Sequence, residues 1–87
     1  MNPDQYRKFL SPPVSVSGKL YWLDAATQRL VPLYTVRAGE SLERIMRNEF
    51  AHTIRDGEVV VFVTIHGTVV HYRVENPPPP VLKLVQL

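Results

Sequence analysis

Eighty-seven residues leave room for one hydrophobic core, because domains run roughly 50 to 250 residues and a second core would have too little apolar surface to bury. Hydrophobic residues at 45% and charged residues at 21% exclude wholesale disorder, and the absence of cysteine excludes disulfides, thiolate metal sites and a cysteine nucleophile. Ten Lys+Arg against eight Asp+Glu give a formal charge of +2, and the basic residues are scattered along the chain rather than clustered, which speaks against specific nucleic-acid recognition.

In chain order, Asn2 caps a short helical pattern with Pro3 at its first position, and Tyr6, Phe9 and Leu10 share one face. Residues 1–13 are expected to form an N-terminal arm, docked on the body or on a partner, and residues 14–87 a single α+β domain. Lys19-Leu20-Tyr21-Trp22-Leu23 favours a strand. Asp24 to Gln28 supplies a turn, and residues 29–36 complete a hairpin that tolerates Pro32 only at an edge. Leu42, Ile45, Met46, Phe50 and Ile54 then mark one stripe of a single long helix. Glu40 precedes Arg44 and Glu43 precedes Arg47 by four residues, the favourable order for helix ion pairs. After Asp56-Gly57, residues 58–65 and 68–74 flank His66-Gly67 as a two-residue hairpin loop. A proline run leads to a last strand over 81–85.

The register of that hairpin predicts two faces. A two-residue loop pairs Phe62 with His71, which gives Val59, Val61, Val63, Val70, Tyr72 and Val74 to the core. Val60, Phe62, Val69, His71 and Arg73, joined by Lys83 and Val85, are left outside as an apolar surface with a basic rim. Such a surface suits a protein partner or a second copy of the chain.

Chemistry-bearing patterns are sparse. His52, His66 and His71 have no carboxylate at ligand spacing, so no metal is expected. No phosphate loop or nucleophile elbow occurs, and neither an enzyme nor a cofactor is expected. No apolar run reaches the roughly 18 residues of a membrane span, and the polar start lacks the apolar centre of a signal peptide, so a cytoplasmic location is expected.

Two strands, one helix and three strands, with Val36-Arg37-Ala38-Gly39-Glu40-Ser41-Leu42-Glu43-Arg44-Ile45 entering the helix and Leu82-Lys83-Leu84-Val85 closing the chain, resemble the ubiquitin-like β-grasp fold over residues 19–87. The resemblance implies an α+β fold in which one mixed sheet, order 2-1-5-3-4, packs on a single long helix. It makes the proline run a stiff crossover: six polyproline residues reach about 19 Å at roughly 3.1 Å each, close to the length of the strand it must retrace. The Gly-Gly end of a conjugated ubiquitin is missing at Val85-Gln86-Leu87, so covalent transfer is not implied. Residues 34–45 also resemble the opening of a LysM peptidoglycan-binding module, which would imply glycan binding, and Tyr21 with Trp22 could stack a base of single-stranded nucleic acid. The leading expectation is a small non-enzymatic protein-interaction module that occupies a partner's surface or self-associates. Compact chains of this kind are common among phage and mobile-element inhibitors of host proteins.

Overall fold

The computed structural model describes residues 12–76 and 82–87. Most of the expected arm, all of the proline run after Asn76 and the start of the expected last strand lie outside the described residues. The elements are β1 (Gly18–Asp24), β2 (Arg29–Val36), α1 (Leu42–Glu49), β3 (Val59–Thr64), β4 (Val69–Glu75) and β5 (Lys83–Gln86). One five-stranded sheet runs in the order β2-β1-β3-β4-β5, and every neighbouring pair is antiparallel.

This arrangement overturns the expected β-grasp. The last strand is not inserted at the centre but pairs with β4 at the sheet edge, with Glu75 opposite Lys83 and Tyr72 opposite Gln86. A strand that returns beside the one it has just left is the commonest connection, and it requires no travel back along a full strand. The outer edge of β5 is closed by the helix instead of by another strand. The Leu84 amide donates to Oε1 of Glu43 at 2.9 Å, and Nε of Arg47 donates to the Leu82 carbonyl at 2.7 Å. Glu43 and Arg47 thus bind strand backbone, a use that their spacing alone does not reveal.

The helix is also shorter than its apolar stripe suggests. Ser41 caps it, accepting a hydrogen bond from the Arg44 amide, and it ends after eight residues at Glu49. The amides of Thr53 and Ile54 turn back to the Phe50 carbonyl at 3.0 and 2.9 Å. Asn76 Nδ2 donates to the carbonyl of Ala51 at 3.0 Å, tying the chain after the helix to the end of β4. Ile54 reaches the core from this turn rather than from the helix.

The β3–β4 hairpin corrects the expected register by one residue. The Gly67 amide donates to the Thr64 carbonyl, and the Thr64 amide donates to the Thr68 carbonyl, both at 2.9 Å. The loop is therefore Ile65-His66-Gly67, with Gly67 at φ +84, the three-residue turn that ends in a left-handed residue. Phe62 pairs with Val70 and Val61 with His71. Because side chains alternate, the slip turns β3 over while β4 keeps its expected orientation. Val60 and Phe62, 0% and 4% exposed, join Leu20, Val36, Val74 and Leu82 against Leu42, Ile45 and Met46 of the helix.

Gly18 fixes how closely β1 approaches β3, since a Cβ placed there would stand 2.2 Å from the Val63 carbonyl oxygen. Phe62→Ala is expected to cost about 3–5 kcal/mol and Gly18→Ala roughly 1–3 kcal/mol in urea unfolding. A Phe62→Ala variant with unchanged stability would return Phe62 to the solvent side and contradict this register.

Candidate interaction surface

The face of the sheet opposite α1 is built in rows by strand pairing. Lys19, Val63 and Val69 form one row, Tyr21, Val61 and His71 the next, and Leu23, Val59, Arg73 and Val85 the third. Thr35, Pro32 and Leu30 extend these rows onto β2, and Glu75 beside Lys83 closes the other end. Among the described residues no element lies across this face. Val61, between Tyr21 and His71, is nevertheless only 1% exposed and stands outside the core cluster on the helix side. Val69 is 52% exposed, and Tyr21, Leu23, Val59, Val63 and Val85 are partly so.

Of the seven residues expected to form a binding surface, the structure brings Val69, His71, Arg73, Lys83 and Val85 together here. It takes away Val60 and Phe62, which point to the other side and are buried. It adds Val59, Val61 and Val63, which were expected in the core, together with Tyr21 and Leu23 of the expected first strand. The signal that could have separated them is the glycine two places after Ile65, since a third loop position that needs φ > 0 marks the three-residue hairpin.

Charge on this face is uneven. Lys19, Arg73 and Lys83 stand against Glu75, a net of +2 from three cations and one anion, equal to the formal charge of the whole chain. Arg73 Nη2 meets Glu75 Oε1 at 3.2 Å with both side chains well exposed, so that pair holds Arg73 in place with little net stabilisation.

The helix side holds the polar contacts. Trp22 Nε1 donates to Glu58 Oε2 at 2.5 Å, and the Arg55 amide donates to Glu58 Oε1 at 2.8 Å. A groove of about 720 Å³ lies between Pro13, Tyr34 and the helix residues Arg44 and Asn48. His52, His66 and His71 are all exposed. Among the described residues no group of three or more His, Asp or Glu side chains is placed to hold a metal ion, and no helix is long and apolar enough to cross a membrane.

No family model matches the chain, and neither curated proteins nor solved structures provide a match. The resemblances to the β-grasp fold and to a LysM module gain no support from these comparisons.

Tyr72 lies on the helix side of β4, opposite Val60, and burial pushes its phenol above the ordinary value of 10.0. The unfolded chain then ionises first as the pH rises. The stability contributed by the neutral phenol is complete below pH 10.0 and is lost as the pH climbs through the higher folded-state value. Melting temperatures followed from pH ~8 to ~12 should fall more steeply for the wild-type chain than for Tyr72→Phe. Parallel curves would show that the folded chain does not hold the phenol neutral.

Proposed function

We propose that this chain is a non-enzymatic interaction module whose sheet face opposite α1 docks on another protein, and that the docking surface of that partner is apolar and rimmed by carboxylates. The single observation that carries the reading is the composition of the face: valine and aromatic rows across β1, β3 and β4, with Lys19, His71 and Arg73 at their ends. Aliphatic and aromatic side chains collected on one flat side suit an interface core, whereas a solvated sheet face ordinarily alternates to polar residues. The positive rim favours an acidic partner over a second copy, which would bring the same positive groups. Occupancy of a host protein's surface, as an inhibitor would achieve it, is one use of such a module. The described residues offer no equally specific argument for glycan or single-stranded nucleic acid.

The test uses capture by chemical cross-linking in cells of the native host, followed by calorimetry with the captured protein after purification. Val69→Glu and Arg73→Glu are each expected to weaken binding by at least about tenfold, while stability changes by less than about 0.5 kcal/mol, because both side chains are exposed. Ile65→Glu, at the hairpin tip and off the face, should leave affinity unchanged. If the wild-type chain is instead a dimer that Val69→Glu dissociates, or if a nanomolar nucleic-acid complex is found, the acidic-partner reading fails.

A further inference from the structure

We propose that the groove between the β1–β2 hairpin and the loop following α1 binds an organic cation that carries methyl groups, either on a methylated lysine or in a free quaternary ammonium compound. The groove has a volume of about 650 Å³ and is lined by Trp22, Leu33, Ile54, Arg55, Asp56 and Glu58 among others. That volume is ordinary for small-molecule sites, which span roughly 300 to 1,000 Å³.

Its chemistry selects the ligand. Trp22, Leu33 and Ile54 supply an apolar wall, and Asp56 and Glu58 supply two carboxylates beside it. Both oxygens of Glu58 are fixed, one by the Trp22 indole N–H at 2.5 Å and the other by the Arg55 amide at 2.8 Å. Asp56 Oδ1 accepts the Asn76 amide at 2.8 Å. Neither carboxylate is within ion-pair distance of a cation among the described residues. An indole whose N–H is bound to a carboxylate carries extra electron density on its ring, and this strengthens its attraction for a cation. A small inorganic ion would surrender its hydration shell to an apolar wall and gain little in return. An ammonium shielded by methyl groups is weakly hydrated, so it can touch the indole and the aliphatic side chains while its charge faces Asp56 and Glu58. A neutral apolar ligand would leave the two carboxylates desolvated without compensation. Arg55, the cation in the lining, opposes a second positive charge.

The site lies on the helix side of the sheet, away from the face assigned above to a protein partner, and it stands whether or not that assignment does. Trp22 is the only tryptophan in the chain, so its fluorescence reports on this groove alone. The full-length chain is titrated at constant ionic strength with choline, with the neutral tert-butyl isostere of choline, and with a short peptide that contains trimethyl-lysine. The cations are expected to give a saturable change and the neutral isostere to bind at least about tenfold more weakly. Glu58→Gln removes the charge but keeps only one acceptor oxygen, so one of the two donors loses its partner; it should weaken cation binding by at least about tenfold, with its thermal melt recorded alongside. Asp56→Asn, which does not touch Trp22, should weaken it in the same direction and decides the matter if Glu58→Gln unfolds. Arg55→Ala should tighten it. Tighter binding of the peptide than of choline assigns the source to a modified protein, and tighter binding of choline than of the peptide assigns it to the free compound. Equal binding of the neutral isostere, no saturable signal with any cation, or weaker binding by Arg55→Ala would overturn the proposal.

Discussion

The conformation of Gly67 decides which residues of this protein are inside. With φ at +84 it closes a three-residue loop, and the pairing of β3 with β4 follows from that count. A strand shows alternate residues to alternate faces, so a single extra loop residue exchanges every side chain on one of the two strands. Val60 and Phe62 go to the helix, while Val59, Val61 and Val63 go to the other side. The core and the candidate docking face are therefore set by one backbone torsion. No gradual change of sequence on β3 could move a residue from one role to the other.

The second constraint is how the sheet ends. An antiparallel sheet with free edges invites pairing with other chains, and the two edges here are blunted by different means. On β2, Pro32 lacks an amide hydrogen, and the pairing with β1 is irregular between Leu20 and Tyr21. On β5, the helix contributes Glu43 and Arg47 to groups of the strand backbone. This explains a carboxylate only 3% exposed on an otherwise amphipathic helix. Glu43 is buried because it accepts the Leu84 amide, the group that a sixth strand or a partner strand would otherwise have taken. A β-grasp needs β5 in the middle of the sheet. Here the helix satisfies β5 at the rim, and the two arrangements exclude each other.

The local signals in the sequence act over a few residues. Ser41 before an apolar stripe marks a helix start, Asp24 to Gln28 marks a turn, and alternating β-branched residues mark β3 and β4, since all of these depend on neighbours within a few residues. Three features depend on partners far along the chain and were not legible. The Leu84 amide finds Glu43 forty-one positions earlier, and the Trp22 indole finds Glu58 thirty-six positions later. The helix ends at Glu49, although the apolar stripe continues through Phe50 to Ile54. Asn76, twenty-five positions after Ala51, holds the turn that follows. The candidate surface was half legible for a related reason. Its β4 and β5 members follow from alternation within their own strands, its β3 members from a loop length that only the glycine encodes, and its β1 members from a long-range pairing with β3.

Charge is sorted across the thickness of the sheet. Among the described residues, Lys19, Arg73, Lys83 and Glu75 stand on the side away from the helix, while Asp56 and Glu58 line the groove on the helix side. Through the solvent, the interaction between the two sets is screened over about 8 Å at physiological ionic strength. The face away from the helix therefore carries the +2 excess of the chain, while the remaining charges sum to zero and the two carboxylates of the groove act locally beside Arg55. A net charge this small would by itself suggest weak electrostatic steering. Concentration of that excess on one face makes its local field larger than a uniform spread would give, and the two proposed ligands, a carboxylate-rimmed partner and a small cation, would approach opposite sides of one sheet. Because the two sites share no side chain, occupation of one leaves the contacts of the other intact. The shortest covalent links between them are Trp22 with Tyr21 and Glu58 with Val59, neighbours in the chain of which one lines the groove and the other stands on the opposite face.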